Sequence, residues 1–198
     1  MSIKGTESYA GAQGLPQVVA AAVELAEQLG FSSSCRLEQG RLLYALAGGA
    51  AGSIGETGTG CGVGLAWLVA GRRPGVRVVS VERDAERAAR VSELFADVPD
   101  VAVLHGDWTI INDHGPFDLL VVDGGGNGKR GAAADPERLL RSGGSVVIDD
   151  FTPLTEWPPM HEGRPDTARL RWLEHPALLA AEVRLAPDLS TIVGTRRP

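Results

Sequence analysis

A glycine-rich stretch led by an acidic residue has the spacing best suited to holding a ligand. In SIGETGTGCGVG, residues 53–64, Glu56 precedes glycines at alternate positions, Gly58, Gly60 and Gly62. Glycine lets the backbone take positive φ and approach a bound molecule closely, because no Cβ intervenes. The following residues are predicted to open a helix, whose first amides point towards a ligand. The stretch therefore predicts a ligand-binding turn, although a glycine-rich surface loop has the same composition.

A second acidic residue, Glu82, stands where a ribose-binding carboxylate is expected. It ends the β-branched run VRVVSVE and follows Gly62 by twenty residues. In a doubly wound sheet the second strand ends beside the first glycine turn, so a carboxylate there accepts hydrogen bonds from ribose hydroxyls. The alternative is an ordinary solvated charge at a strand end. The glycine turn upstream favours the ribose interpretation.

Other glycine motifs fit less well. A dinucleotide fingerprint needs a third glycine where Val63 stands. The GK pair Gly128–Lys129 lacks the surroundings of a phosphate loop, because Asp123 replaces the leading glycine and Arg130 the Ser or Thr. No Tyr and Lys pair has the spacing of an NAD-dependent oxidoreductase. The sequence therefore predicts neither a dehydrogenase nor a phosphate-loop enzyme.

Composition limits the class of protein. With 198 residues, one domain spanning 1–198 is expected. The net charge of −6 disfavours nucleic acid as a partner. No apolar run approaches the roughly 20 residues of a membrane span, and the N-terminus lacks a signal-peptide pattern. Cys35 and Cys61 form no CxxC pair, as suits a reducing compartment. We therefore expect a cytoplasmic protein without a membrane partner.

The periodicity of apolar residues predicts an α/β fold. Two helices are expected within residues 1–48: one from Pro16 to Leu29 with an apolar face, and one over 38–47. Strands and helices alternate afterwards, which indicates a mostly parallel sheet with helices on both faces. The expected strands are 51–56, 76–81, 101–105, 117–123, 145–149, 181–185 and 190–195, and the expected helices are 63–70, 85–95 and 132–140.

A proline-rich segment, residues 151–176, is predicted to be a substrate loop. It follows Asp149 and Asp150, so it would overhang the carboxyl ends of the strands, where open α/β sheets bind ligands. Candidates for an apolar substrate wall are Phe151, Trp157, Met160 and Trp172. Alternatively, residues 169–173 form a surface helix with Trp172 packed on the core.

Several of these motifs together resemble a known family. ExGxGxG at residues 56–62, Glu82, Asp107 in HGDW, and FDLLVVDGG followed by GGSVVIDD resemble the class I S-adenosylmethionine-dependent methyltransferases. The small O-methyltransferases related to the catechol and caffeoyl-coenzyme A enzymes are most similar. The resemblance implies a Rossmann-like, doubly wound sheet of seven strands with a C-terminal antiparallel hairpin.

The resemblance also assigns roles to residues. Glu56 and the turn amides would hold the methionine part of S-adenosylmethionine, Glu82 the ribose, and Asp107 with Trp108 the adenine. The full set of cofactor residues so implied is Glu56, Gly58, Thr59, Gly60, Gly62, Glu82, Arg83, Asp107, Trp108 and Asp123.

A divalent cation is implied by the same resemblance. Two Asp and one Asn at the ends of the fourth and fifth strands hold it in the family, and the matching positions here are Asp123, Asp149 and Asp150. Such oxygen ligands suit Mg²⁺ and similar cations. Asp150 departs from the usual Asn, which either tightens cation binding or marks a changed chemistry. Alternatively, the carboxylates cap strand ends without a metal. Lys129 aligns only loosely with a lysine of the family.

The expected function is transfer of a methyl group from S-adenosylmethionine to a hydroxyl of a small, aromatic acceptor. The expected catalytic residues are Asp123, Asp149, Asp150 and His161. Without a metal, His161 would be the general base. A domain that binds the cofactor or a nucleotide without catalysis is the alternative from another class. Family members pair through N-terminal helices, so the apolar face of residues 18–29 serves either a homodimer or its own domain.

Overall fold

A computed structural model describes residues 5–123 and 134–198, in which strands and helices alternate after two N-terminal helices. The helices are α1 (Gln17–Gln28), α2 (Leu37–Ala47), α3 (Val63–Gly71), α4 (Ala85–Leu94), α5 (Pro136–Leu139) and α6 (Thr167–Leu173). The strands are β1 (Ser53–Thr57), β2 (Arg77–Glu82), β3 (Val101–His105), β4 (Phe117–Val122), β5 (Leu140–Phe151), β6 (Met160–His161), β7 (Arg164–Pro165), β8 (Leu178–Ala186) and β9 (Leu189–Arg196). Short 3₁₀ helices cover Thr6–Tyr9 and Trp108–Asp113.

The main sheet has seven strands in the order β3-β2-β1-β4-β5-β9-β8. The first five of these strands are parallel, and β9 runs antiparallel to both β5 and β8. This confirms the predicted Rossmann-like, mostly parallel sheet with a C-terminal antiparallel hairpin. The strand order reverses beside β1, between β2 and β4, and open α/β sheets bind ligands at such a point.

Apolar side chains fill both faces of the sheet. Strand β4 is buried from Leu119 to Val122, as its continuous apolar run predicts. One core lies under α1, α2 and α3, and a second contains Phe117 and Trp172. The apolar face of α1 packs within the chain, against α3. This packing accounts for that face without a partner, and a dimer stays a prediction. None of the described helices is both long and apolar enough to cross a membrane.

Element boundaries differ from the prediction mainly at β5 and at β8, which covers Leu178–Ala186 where a strand over 181–185 is predicted. Strand β5 begins at Leu140, which pairs with Phe117 before a shift in register, and not at Ser145. The helix expected over 132–140 is shorter in the described chain: α5 begins at Pro136, after the non-helical Ala134 and Asp135, and ends before Leu140, which is in β5; residues 132 and 133 lie outside the described part. Its first turn is capped by the Asp135 side chain, which accepts from the Glu137 amide at 2.9 Å.

Segment 151–176 is more ordered than a long loop. It contains the β6–β7 ladder and α6. Trp172 is fully buried in the core, so the packing alternative is correct and Trp172 does not form a substrate wall. Arg169 anchors the segment: its guanidinium donates to the Glu182 carboxylate at 3.0 Å and to the Thr152 carbonyl at 2.8 Å, and lies 4.9 Å from the Phe151 ring centroid.

Candidate functional site

A pocket opens at the carboxyl ends of β1, β2 and β4. Every residue predicted to bind the cofactor lines it except Gly62. Those that line it are Glu56, Gly58, Thr59, Gly60, Glu82, Arg83, Asp107, Trp108 and Asp123. Phe31, Ser33, Ser34 and Cys35, between α1 and α2, also line the pocket, and no sequence motif assigns them to a site.

The glycine turn is anchored on β2. The amides of Gly58 and Thr59 both donate to the Val81 carbonyl, at 2.8 and 3.2 Å. Gly62, at φ 84°, is the residue before α3, and its amide donates to the Thr59 carbonyl at 2.8 Å. Such a φ favours glycine. Gly62 therefore shapes the turn, whereas the residues before it face the pocket.

Gly64, in the first turn of α3, permits a close approach that the sequence analysis did not single out. A Cβ at this position would lie 2.5 Å from the Glu56 Oε1 atom. Only a residue without a side chain lets α3 start so close to that carboxylate. The available signal is a fourth glycine at the same alternate spacing, two residues after Gly62.

Glu56 is a buried carboxyl with polar partners on β2. It is 2% exposed and lies opposite Ser80 in the β1–β2 ladder. The Ser80 hydroxyl donates to Glu56 Oε2, and the Ser80 and Thr59 hydroxyl oxygens are 2.6 Å apart. Burial raises the pKa of Glu56 to about 8, against the opposing effect of the Ser80 hydrogen bond. A cationic ligand group beside Glu56 would favour its ionised form.

Glu82 is held by three donors. Its Oε2 accepts from the Gly60 amide at 2.7 Å, while its Oε1 accepts from the Asp84 amide at 2.9 Å and from Arg87 Nη2 at 3.0 Å. The residue is 5% exposed. A buried, oriented carboxylate of this kind can accept hydrogen bonds from ligand hydroxyls.

Asp107 and Trp108 form the wall beyond β3. Asp107 is exposed and caps the 3₁₀ helix, because its Oδ1 accepts from the amide and hydroxyl of Thr109 at 3.1 and 2.8 Å. These hydrogen bonds lower the pKa of Asp107. Arg83, also exposed, lines the same pocket. Indole and carboxylate together suit a flat, polar-edged ring.

Three aspartates meet where β4 and β5 end. One carboxylate oxygen from each of Asp123, Asp149 and Asp150 lies within 4.8 Å of the others. Asp149 is buried, and the other two are half-buried. Asp123 also lines the cofactor pocket, so the acidic cluster adjoins it.

A β-bulge brings Asp149 and Asp150 together. The register of the β5–β9 ladder shifts between Ile148 and Phe151, so both aspartates face the single residue Thr191. Asp150 has a φ of 59°, a conformation that Asp adopts more readily than most residues. Consecutive side chains of a regular strand point to opposite faces of the sheet. The bulge therefore lets both neighbours approach Asp123.

Two buried hydroxyls on β9 hold the bulge. Thr191 Oγ1 donates to the Ile148 carbonyl at 2.7 Å, and Ser190 Oγ donates to the Phe151 carbonyl at 3.2 Å. These carbonyls flank the bulge on either side. Nothing in the local sequence of β5 signals this support, because it comes from a strand about forty residues away.

His161 does not join the other predicted catalytic residues. It is exposed on β6 and lines a separate pocket with residues of β7 and α6. Trp157 and Met160 are also exposed, at 60% and 42%. Lys129 lies outside the described residues.

Comparison with known proteins agrees with this architecture. Residues 56–151 match a family model described as a methyltransferase domain. A cofactor-bound protein from MTB, Rv0187, has 22% identity and a TM-score of 0.78, with 100% of this chain and 98% of that one covered. No curated protein matches the chain significantly.

Two O-methyltransferase structures are also similar over 98% of this chain and 96% of theirs. One, from Bacillus cereus in complex with SAH, has 17% identity and a TM-score of 0.71. The other, TomG from Streptomyces achromogenes in complex with SAM, has 18% identity and a TM-score of 0.71. Residues 56–151 thus match a methyltransferase domain, and the chain shares the fold of these methyltransferase structures.

Proposed function

We propose that this chain transfers a methyl group from S-adenosylmethionine to a hydroxyl of a small, aromatic acceptor, assisted by a divalent cation. One observation carries the proposal. Asp123 both lines the cofactor pocket and belongs to the acidic cluster with Asp149 and Asp150. An acceptor hydroxyl beside the cluster would therefore lie next to the cofactor.

The chemistry of the pocket fits S-adenosylmethionine. Glu56 is a buried acceptor for the ammonium group of the methionine part, and its ionisation would be favoured by that charge. Glu82 is an oriented acceptor for ribose hydroxyls. Asp107 and Trp108 offer a polar group and a flat surface to the adenine. Arg83 lines the same pocket and is proposed to contact the cofactor as well.

The acidic cluster fits a hard cation. Three carboxylates within 4.8 Å of one another repel unless a positive charge lies between them. Oxygen donors are those that Mg²⁺ and Mn²⁺ prefer. A cation bound there supplies Lewis-acid activation, which lowers the pKa of a coordinated hydroxyl. Asp123, Asp149 and Asp150 would hold the cation and, through it, would place the acceptor hydroxyl beside the cofactor; such alignment contributes roughly 7 to 11 kcal/mol in favourable cases.

The acceptor wall is proposed to come from the segment after β5. Phe151 is half-buried and held by Arg169, whereas Trp157 and Met160 expose apolar surface that an aromatic acceptor would cover. His161 is a weaker candidate for the base, because it lines another pocket. The cation route therefore has the better structural support.

Calorimetric titration with S-adenosylhomocysteine (SAH), followed by Mn²⁺ titration, tests the proposal. We expect SAH to bind without metal, and Mn²⁺ to bind the unsubstituted chain but not Asp149→Asn with Asp123→Asn. Asp97→Asn with Glu174→Gln, two exposed changes on the surface, is the control matched for charge. Turnover of catechol-type acceptors should stop with a chelator and return with Mn²⁺. Failure to bind SAH would overturn the cofactor assignment, and chelator-resistant turnover would overturn the cation role.

A further inference from the structure

Arg87 contacts two other residues of the cofactor pocket, Glu82 and Phe31. It is on the first turn of α4, whose cap Asp84 accepts the Arg87 amide at 3.0 Å. Its guanidinium donates to Glu82 Oε1 at 3.0 Å and forms an ion pair with Asp84 at 3.5 Å. The guanidinium also lies over the ring of Phe31, 5.3 Å from the centroid. Arg87, Glu82 and Phe31 all line the pocket.

We propose that Arg87 is a positioning residue that fixes the ribose-binding carboxylate of Glu82 and joins it to Phe31. The inference rests on the proposed function, in which Glu82 receives the ribose. It adds a residue that acts through Glu82 and that neither the glycine turn nor the strand ends contain.

The hydrogen bonds of Glu82 give Arg87 its role. An ionised carboxylate has about four lone-pair directions. Two are taken by the backbone amides of Gly60 and Asp84, and a third by Arg87. Arg87 is the only side-chain donor among these three described partners. With all three in place the carboxylate cannot rotate without breaking a bond, so a ribose hydroxyl meets an acceptor of fixed orientation.

Phe31 explains why the residue is an arginine. The guanidinium uses its edge for the carboxylate and its planar face for the aromatic ring, a combination that a lysine ammonium lacks. The Phe31 ring is itself close to the glycine turn, since a Cβ on Gly60 would lie 3.1 Å from it. Arg87 thus connects Phe31, in the segment between α1 and α2, with Glu82 at the end of β2.

Surface ion pairs generally contribute little to stability, but this pair differs from them. The Glu82 side chain is 7% exposed and that of Arg87 is 32% exposed. On the same helix, Arg90 pairs with Glu93 at 3.5 Å with exposures of 45% and 74%, away from the pocket lining. Arg90 is therefore a matched control within α4.

Calorimetric titration of the metal-free protein with SAH tests the proposal. For Arg87→Ala we expect about a tenfold loss of affinity, as for a charge-assisted hydrogen bond. Arg87→Lys should keep the ion pair with Glu82 and lose the stacking on Phe31. Its affinity for SAH should therefore lie between those of the unsubstituted chain and Arg87→Ala. Phe31→Leu should weaken binding about threefold, by the loss of the stacked face. Arg90→Ala should leave the affinity unchanged.

A double-mutant cycle separates positioning from a general effect on folding. In a Glu82→Gln background, Arg87→Ala should weaken SAH binding by less than about twofold, because its effect passes through Glu82. Equal losses in both backgrounds, or an Arg87→Ala affinity equal to that of the unsubstituted chain, would overturn the inference. If Arg87→Ala does not fold, the same SAH titrations in both backgrounds are made with Arg87→Lys and with Phe31→Leu in its place. Absence of SAH binding by the unsubstituted chain would instead overturn the proposed function beneath it.

Discussion

Ser80 donates a hydrogen bond to the buried carboxyl of Glu56, its neighbour across the β1–β2 ladder. This bond favours the ionised form of Glu56, and burial opposes it more strongly. The pKa of Glu56 is consequently raised from 4.5 to about 8. At neutral pH, without a cationic group beside it, the Glu56 carboxyl at the end of β1 is therefore largely protonated.

The free energy of unfolding should depend on pH because folded Glu56 holds this proton. The folded chain keeps it between pH 4.5 and about 8, whereas the unfolded chain releases it. The contribution of Glu56 to the free energy of unfolding is therefore fully present below pH 4.5 and decreases as the pH rises towards about 8. Urea unfolding of the unsubstituted chain and Glu56→Gln across this range checks the sign. If the free energies of unfolding of the two proteins change in parallel with pH, the pKa of Glu56 is not raised in the folded chain.

Gly64→Ala should disturb the site although alanine favours helices. The new Cβ would lie 2.5 Å from Glu56 Oε1, so one of the two must move. Overpacking costs about 1–3 kcal/mol, and for a Cβ this close to a buried carboxylate we expect a value in the upper part of that range, above the roughly 1 kcal/mol that alanine contributes over glycine. Chemical denaturation and SAH titration should both show a loss. In a Glu56→Asp background, with a shorter side chain, the loss of stability should shrink. An equal loss there would contradict the collision.

Thr191→Val should weaken cation binding through the bulge. The substitution keeps the shape of the side chain and removes the hydroxyl that donates to the Ile148 carbonyl. We expect a stability loss of about 1–2 kcal/mol and a several-fold loss of Mn²⁺ affinity, with little change for SAH. Thr195→Val, on the same strand but paired with Ser145, is the control. Unchanged Mn²⁺ affinity with lowered stability would limit Thr191 to a role in folding.

Asp150→Asn should be tolerated where Asp150→Val is not. Asn, like Asp, readily takes the positive φ of this position, whereas a β-branched residue does not. The amide keeps an oxygen ligand and removes one negative charge from the cluster. We therefore expect unchanged stability for Asn, within about 0.5 kcal/mol, and a several-fold weaker Mn²⁺ affinity. Tighter Mn²⁺ binding by Asp150→Asn would show that the third charge opposes the cation.

Apolar runs are local signals and predict most strands of the sheet, whereas the C-terminal antiparallel hairpin is implied by the family resemblance. All seven strands were expected, and β4 was recognised from its continuous apolar residues. The strand ends then place Glu56, Glu82 and Asp123 in one pocket, since carboxyl ends of parallel strands meet at one edge. These positions follow from topology and need no knowledge of side-chain packing.

Features that depend on distant contacts were not predictable. Arg87 lies over Phe31 across 56 positions of the chain (87 − 31), and Thr191 supports a carbonyl on another strand. The composition of 151–176 leaves a substrate loop and a helix with buried Trp172 both open, and the burial of Trp172 with the anchoring of Arg169 on Glu182 decides for helix α6. Tertiary packing decided each of these cases.

Asp123 directly follows β4, and its backbone is also hydrogen-bonded to the end of β1. Its amide donates to the Thr57 carbonyl at 3.2 Å, and its carbonyl accepts from the Thr57 hydroxyl at 2.8 Å. One carboxylate on this fixed backbone faces both the cofactor pocket and the acidic cluster. In the proposed enzyme, the cofactor and the cation would therefore be thermodynamically linked. If bound cofactor changes the affinity for the cation by some factor, bound cation changes the affinity for the cofactor by the same factor, whichever binds first.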